Sequence, residues 1–145
     1  ISSYTVMELC NAVTIFNTKT GIEVSSSGIP TIVAGEAWIR NKGFSFDASS
    51  PEHYVEILKN LPFKEKMSEA DTERALKYAY HFFMRRMIPL PFINFDPISG
   101  KYSSNLKCAS ELSHGKIKGL DVICDGILDG TPFEFDENEG VNAAV

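Results

Sequence analysis

The sequence predicts an α/β fold in which a short parallel sheet comes first and a mostly helical portion follows. Residues 12–16 and 31–34 are short, nearly continuous apolar runs rich in β-branched residues, a pattern typical of buried parallel strands. A polar turn at 17–21 and a helical stretch at 22–27 separate these runs, so residues 12–35 form one βαβ unit. Two strands do not make a stable sheet alone, so either further strands lie upstream or the chain holds only part of its sheet.

Helical patterns dominate the rest of the chain. Prolines and glycines mark where these helices end. In chain order the other predicted elements are a helix at Tyr4–Leu9, a short strand at 44–46, a helix that starts at Ser50-Pro51 and ends at Pro62, a helix at Ser68–Met87, and helices at 106–112 and 120–128. The acidic segment Glu134–Val145 is weakly patterned, and we expect it to fray.

The 145 residues suit a single domain over 1–145, with an α/β part at 1–60 and a helical part at 61–145. Because the chain begins at Ile1 and not at Met, we expect it to be a fragment of a longer two-domain protein.

Composition excludes several classes of partner. The formal net charge is -5 and no block of Lys or Arg occurs, which argues against nucleic acid and anionic membrane surfaces. Cys10, Cys108 and Cys124 are far apart and form no paired motif, so we expect neither disulfides nor a zinc site, and a cytoplasmic location. No apolar run approaches the ~18 residues that a transmembrane helix needs.

The most informative stretch joins the carboxyl end of the first strand to the amino end of the following helix. In open α/β sheets, ligands bind in the crevice at this edge. Backbone N–H groups and the helix dipole favour an anion there, and Gly21 has no side chain to keep a phosphate away. Glu23, one turn into the helix, can accept hydrogen bonds from two ribose hydroxyls. The candidate phosphate- and ribose-binding residues are Thr18, Lys19, Thr20, Gly21 and Glu23.

A structural role explains two of these residues equally well. Thr20 and Glu23 have the spacing of a capping box, in which Thr20 caps the helix and Glu23 reaches back to the cap. The stretch matches neither a Walker loop nor the Gly-x-Gly-x-x-Gly pattern. The residues alone therefore leave a phosphate site and a helix cap as open alternatives.

A second stretch, Gly35 to Asp47, follows the second strand and therefore lies at the same edge of the sheet. Arg40 could bind a phosphate or a sugar carboxylate through two hydrogen bonds, and Trp38 could cover a base or a sugar ring. Loops at this edge commonly carry function. The alternative is that Trp38 and Phe44 are core residues and that Arg40 and Lys42 are solvated.

The residues of the two stretches form one recognisable pattern: Asn17-x-x-Thr20-Gly21-x-Glu23, then Gly28-x-Pro30, Gly35-Glu36-Ala37-Trp38 and Lys42-Gly43-Phe44. This pattern resembles the capsule polysaccharide biosynthesis proteins, a bacterial family that includes transferases of the acidic sugar Kdo. The resemblance covers residues 3–60 and corresponds to the carboxyl-terminal half of the family. It implies a GT-B architecture, in which two Rossmann-like domains face each other across a cleft and the carboxyl-terminal domain holds the nucleotide-sugar donor.

The resemblance also implies roles for individual residues. A Glu followed five residues later by Gly-x-Pro looks like the donor-binding signature of many GT-B enzymes, where the Glu binds ribose and the preceding turn binds phosphate. Glu23 would then bind the ribose, with residues 18–21 around the phosphate. Glu36 stands where related enzymes often place a substrate-contacting residue. Lys19 departs from the family, since relatives commonly have Ser before the Thr-Gly pair.

The implied function is that of the donor-binding half of a capsule glycosyltransferase, which moves a sugar from a nucleotide-sugar to a saccharide or lipid-linked acceptor. We expect the leaving phosphate to be stabilised electrostatically at the helix amino end, with no metal and no cofactor. The chain has no room for an amino-terminal domain, so the fragment alone is expected to be inactive. None of His53, His81 and His114 lies in the two stretches, and no general base is assigned.

Other interpretations stay open beside this one. The chain could be a non-catalytic nucleotide- or sugar-binding module of the same fold, or half of a nucleotide-sugar epimerase. In GT-B proteins a late helix often packs on the other domain, so the apolar stripe with Phe82 and Phe83 would be partly exposed without it and would favour a homodimer. We expect the protein in the cytoplasm, at the inner face of the membrane.

Overall fold

The computed structural model describes residues 2–136, and the chain divides after Tyr80 into two compact units. The first unit ends at Tyr80 and the second begins at His81. The elements of the first unit are α1 (Ser3–Leu9), β1 (Val13–Ile15), α2 (Thr20–Ser26), β2 (Thr31–Val33), β3 (Phe46–Asp47), α3 (Pro51–Lys59) and α4 (Glu69–Tyr80).

A three-stranded parallel sheet in the order β1-β2-β3 forms the centre of the first unit, which confirms the predicted α/β fold and its βαβ unit. Val13 pairs with Thr31, and Ile32 pairs with Phe46. The third strand begins two residues later than the predicted one at 44–46, and Phe44, which precedes it, is buried against the ring of Tyr78.

The core of the first unit lies on both sides of the central strand. All three residues of β2 are buried, as expected for a strand covered on both faces. Ile32 packs with Ala48 and Ile57, which brings α3 against the sheet. Ile22 and Val24 of α2 are also buried, and α4 packs against α2. The α4 helix therefore belongs to the same compact unit as the sheet.

Two predicted helices of the first unit begin where the sequence places them. The α1 helix confirms the prediction at Tyr4–Leu9. Ser50 caps α3 by accepting from the backbone N–H of His53, and Pro51 occupies the first turn.

The helix predicted at Ser68–Met87 is shorter in the structure. The α4 helix ends at Tyr80, and residues His81–Arg85 form α5, a π-helical turn that belongs to the second unit. In this turn Phe82 and Phe83 contact each other edge to face, with ring centroids 5.2 Å apart. Neighbours in sequence do not face each other on a regular α-helix, so this contact accompanies the change in helix type.

The second unit contains a hairpin that the helical prediction missed. Strands β4 (Ile93–Asp96) and β5 (Lys101–Ser104) pair antiparallel, and α6, a 3-10 turn at Ala109–Leu112, replaces the helix predicted at 106–112. The last helix, α7 (Lys118–Leu128), confirms the prediction at 120–128. Among residues 2–136, no helix is both long enough and apolar enough to cross a membrane.

The prediction that the acidic end frays is wrong for its first residues. The Glu134 carboxylate lies 2.8 Å from Nη2 of Arg85, and the backbone N–H of Phe135 donates to the carbonyl of Arg85 at 2.7 Å. These contacts attach the segment to the π-helical turn of the same unit. Residues 137–145 lie outside the described part of the chain.

Candidate functional site

A cleft of about 520 Å³ lies at the carboxyl ends of the three parallel strands. This is the edge at which open α/β sheets bind ligands. The loops that follow β1, β2 and β3 each contribute side chains to it. Its lining residues are Phe16, Asn17, Ala34, Gly35, Glu36, Arg40, Ala48, Ser49, Ser50, Pro51 and Tyr54.

Arg40 holds two of these loops together. Its Nη1 donates to the carbonyl of Gly35 at 2.9 Å, and its Nη2 donates to the carbonyl of Ala48 at 2.7 Å. The side chain is only 19% exposed, so the interpretation of Arg40 as a solvated residue is wrong. A guanidinium has five N–H donors, so these two carbonyls use only part of its hydrogen-bonding capacity.

Glu36 places a negative charge beside Arg40. Its carboxylate lies 3.6 Å from Nε of Arg40, while its side chain is 89% exposed. An ion pair this exposed adds little to stability, because water screens it. Glu36 is therefore available to a ligand, and the pair offers one donor group and one acceptor group on the same wall of the cleft.

Trp38 does not line the cleft. Its side chain is exposed, and its carbonyl accepts a hydrogen bond from the Tyr78 hydroxyl at 2.7 Å. The interpretation of Trp38 as a core residue is therefore wrong, whereas the same interpretation of Phe44 is confirmed. Lys42 lies over the ring of Tyr78, with Nζ 5.8 Å from its centroid, so this lysine packs on the same side chain.

The amino end of α2 differs from the capping box that the spacing suggests. The cap position is Lys19, and Thr20 is already the first helical residue. The backbone N–H of Thr20 donates to Oγ1 of Thr18 at 3.3 Å. Thr18 therefore accepts from one backbone N–H at this helix end, and the capping box between Thr20 and Glu23 is not formed.

Glu23 is also engaged elsewhere, since it accepts a hydrogen bond from the Tyr4 hydroxyl on α1 at 3.0 Å. This hydrogen bond, together with the charge of the carboxylate, raises the pKa of the Tyr4 phenol. The capping interpretation of Glu23 is therefore wrong. A ribose that bound this carboxylate would compete with the Tyr4 hydroxyl for it.

Gly21 lies where a side chain would meet the core. A Cβ at this position would lie 2.4 Å from Cδ1 of Ile15 and 3.1 Å from Cδ1 of Ile39. The residue is buried, and the missing side chain lets α2 approach the sheet closely. The prediction that the glycine leaves space for a phosphate needs correction, because side chains of the core fill that space.

The structure brings only part of the predicted set together. Glu36 and Arg40 line the cleft, and Thr18, Lys19 and Thr20 follow directly after Asn17, which also lines it. Of the eight predicted site residues, only Glu36 and Arg40 are in the lining, and the other six lie outside it: Thr18, Lys19, Thr20, Gly21, Glu23 and Trp38.

Sequence reasoning missed the residues that the third strand contributes to the cleft, which are Ser49, Ser50 and Tyr54. The sequence predicts a short strand at 44–46 and a helix start at Ser50-Pro51. Residues between a parallel strand and the helix that follows it lie at the carboxyl edge of the sheet, and this is the signal that could have found Ser49 and Ser50.

A second cavity of about 520 Å³ lies at the opposite, amino ends of β2 and β3. Phe46 and Phe63 stack on each other in its wall, with ring centroids 4.6 Å apart. The carboxyl edge is the better candidate, because ligands of open α/β sheets bind there.

No group of three or more His, Cys, Asp or Glu side chains in residues 2–136 is arranged to hold a metal ion. No protein-family model matches the sequence, and no curated protein and no solved structure matches it significantly.

Proposed function

We propose that the first unit is the nucleotide-sugar-binding half of a GT-B glycosyltransferase that acts in bacterial capsule assembly. The observation that carries this proposal is the cleft at the carboxyl edge of a parallel sheet, lined by Asn17, Gly35 and Glu36 from the motifs that resemble the family. The partners would be a nucleotide-sugar, a saccharide or lipid-linked acceptor, and an amino-terminal domain of the same protein. The reaction would take place in the cytoplasm, at the inner face of the membrane.

The side chains of the cleft suit a sugar nucleotide. Arg40 supplies positive charge for the phosphates from a fixed position, because two carbonyls hold its guanidinium. Asn17 supplies an amide for hydroxyl or phosphate oxygens, and Glu36 supplies an acceptor for sugar hydroxyls. Phe16 and Tyr54 provide aromatic surface for a base or a sugar ring. Transfer would rest on stabilising the leaving phosphate, which preorganised donors do well.

The ribose role of Glu23 requires a rearrangement. Its carboxylate accepts from Tyr4, so a ribose would have to replace this hydrogen bond. Tyr4 then competes with the ligand, and removing its hydroxyl should strengthen nucleotide binding. This consequence separates the ribose role from a purely structural link between α1 and α2.

The test is a titration with CMP, UDP and GDP, followed by NMR in this chain and in the full-length protein. We expect saturable shifts at Asn17, Gly35 and Glu36 with one nucleotide. Glu23→Gln should weaken binding about 10-fold or more if a charged hydrogen bond is lost. Tyr4→Phe should strengthen binding.

Glu56→Gln, which changes an exposed carboxylate on α3 outside the cleft, should bind like the wild type. Absence of shifts in the cleft with all three nucleotides, in both proteins, would refute donor binding. Nucleotide binding without sugar transfer by the full-length protein would favour the non-catalytic module. The homodimer stays a prediction, and a monomeric sedimentation profile at high concentration would contradict it.

A further inference from the structure

Ser49 and His53 form a hydrogen-bonded pair at the wall of the cleft. Ser49 follows β3 and lines the cleft, and its Oγ lies 2.9 Å from Nδ1 of His53. The backbone N–H of Ser49 also donates to Nδ1, at 3.2 Å. The backbone of His53 is held by Ser50, whose hydroxyl accepts from its N–H at 3.1 Å. The ring is therefore fixed on its Nδ1 side by two groups of one residue.

The contacts of Nδ1 favour one tautomer of the His53 ring. A backbone N–H can only donate, so the contact of the Ser49 N–H with Nδ1 is a hydrogen bond when Nδ1 carries no proton. In this tautomer the proton of the neutral ring is on Nε2, and the Ser49 hydroxyl donates to Nδ1. The lone pairs of Oγ can then accept a hydrogen bond from a hydroxyl group bound in the cleft.

We propose that Ser49 and His53 form a proton relay for a hydroxyl group bound in the cleft. This inference rests on the proposed transfer reaction. Ser49 contacts the hydroxyl, and His53 is a positioning residue that takes up the proton behind it. A hydroxyl at hydrogen-bond distance from an imidazole is the arrangement by which enzymes activate weak nucleophiles. The pair would supply the base that the two sequence motifs lack.

The proposed step balances as follows. The proton of the bound hydroxyl passes to Oγ of Ser49, while the proton of Ser49 passes to Nδ1 of His53, where it replaces the hydrogen bond from the Ser49 backbone N–H. The freed oxygen bonds to the anomeric carbon of the donor sugar. The bond from that carbon to the phosphate oxygen breaks, and its electron pair leaves with the nucleotide. The imidazolium returns its proton to water after the products leave.

Helix capping accounts for only part of this arrangement. The cap needs Ser50, and the N–H of Ser49 needs any acceptor at position 53. A glutamine can supply that acceptor, as it does at the same position of a capping box. Glutamine cannot take up a proton, so His53→Gln keeps the cap and removes the relay.

The other charged groups near the pair are unchanged in this variant. Glu36 and Arg40 line the same cleft from the loop after β2, and Asp47 precedes the pair on β3. Glu52 and Glu56 lie on α3 with His53. A pH dependence that disappears in His53→Gln therefore belongs to the imidazole and not to these carboxylates.

The first measurement is the protonation of the His53 ring in the full-length protein, by ¹⁵N NMR at about pH 8, where an imidazole is neutral. We expect the proton on Nε2, and we expect Ser49→Ala to shift the Nδ1 resonance. A proton on Nδ1 would overturn the relay, since Ser49 would then be the acceptor.

The second measurement is nucleotide release from CMP-, UDP- and GDP-sugars by the full-length protein, with water alone and with added saccharide. Ser49→Ala and His53→Gln should each lower kcat about 10²-fold to 10⁴-fold at unchanged KM. The double variant should be no slower than the slower single one. Any pH dependence of the wild-type rate that arises from the relay should be absent in His53→Gln.

His114→Gln is the matched control, because His114 is 83% exposed and lies in the second unit. We expect it to keep the wild-type rate. A wild-type rate and pH profile in His53→Gln would overturn the relay and leave a helix cap. Nucleotide binding without turnover of any donor would overturn the relay and leave donor binding intact. Absence of nucleotide binding would instead refute the proposed function, and the relay with it. If added saccharide speeds nucleotide release, the hydroxyl group belongs to the saccharide acceptor. If release is unchanged, the hydroxyl group belongs to water.

Discussion

The two units of the chain differ in where they bury apolar surface. Every fully buried apolar side chain among residues 2–136 lies in the first unit, from Ile15 to Ala75. In the second unit Gly119 is the one fully buried residue of the described part. Both strands of its hairpin are exposed along their whole length. The first unit is therefore held by a core, and the second by turns, ion pairs and local contacts.

This difference places the candidate site on the better-packed unit. The cleft is formed by loops that leave a buried sheet, and Arg40 ties two of these loops to each other. A rigid frame suits a site that must hold charged groups at fixed distances. The second unit offers no comparable frame in its described residues, since its hairpin lacks a buried face.

The largest expected effect tests the core itself. Ile32→Ala removes a side chain that is 0% exposed in the central strand and should lower the free energy of unfolding by about 2–5 kcal/mol. Ile98→Ala, at a hairpin residue that is 96% exposed, should change it by less than about 0.5 kcal/mol. Urea unfolding of both variants measures the contrast. Equal losses would mean that the two units do not differ in packing.

The elements of the first unit were predictable because their signals are local and strong. The apolar runs at 12–16 and 31–34 gave β1 and β2, and Ser50-Pro51 gave the start of α3. Periodicity and capping chemistry decide such elements before any tertiary contact. The parallel pairing then followed from the helix between the strands.

The hairpin was missed because its two strands are short and exposed. Residues 93–96 alternate between apolar and polar side chains, but only over four residues, and residues 101–104 contain one apolar side chain, Tyr102. Alternation over so short a run is a weak signal for a strand. In the same way, the length of α4 was overestimated because the apolar pattern continues through a turn of different helix type.

The site was only partly predictable for a related reason. The edge of the sheet and the residues Glu36 and Arg40 follow from chain order and from the resemblance. The contacts of Glu23 with Tyr4, and of Ser49 with His53, depend on where α1 and β3 pack. Side chains that meet through tertiary packing leave no spacing signal in one sequence.

A smaller effect tests whether the second unit has any tight packing. A Cβ at Gly119 on α7 would lie 2.1 Å from the backbone carbonyl oxygen of Pro89, which cannot easily move. A Cβ at Gly126, on the same helix, would lie 2.6 Å from the ring of Phe133. That ring can rotate away, because it belongs to a side chain and not to the backbone.

Gly119→Ala should therefore cost about 1–3 kcal/mol of stability in the second unit, and Gly126→Ala should cost less. Amide hydrogen exchange of α7 in the two variants measures the difference. Equal exchange would contradict close packing at Gly119. Faster exchange in Gly119→Ala alone would show that the close approach of α7 to the Pro89 carbonyl stabilises the second unit.

The smallest expected effect is a loosening of the hairpin turn at low pH. Hydrogen bonds from the Ser99 hydroxyl and the Ile98 N–H lower the pKa of Asp96 below its usual value of 3.8. Because the pKa of Asp96 is lower in the folded chain than in the unfolded chain, the charged carboxylate stabilises the fold fully at pH values above the unfolded pKa. This stabilisation is lost as the pH falls through the folded pKa. The hairpin turn should therefore loosen in acid, and Asp96→Asn should remove this pH dependence.

The first unit offers the comparison for this test. The ion pair with Lys77 also lowers the pKa of Glu73 on α4. Acid breaks that pair as well, but α4 is also held by its packing against α2. Amide exchange at about pH 3 should therefore accelerate at Gly100, whose N–H donates to the carbonyl of Asp96 at 2.8 Å, and should stay slow in α4. Equal acceleration in both places would mean that α4 depends on its surface charges as much as the hairpin depends on its turn.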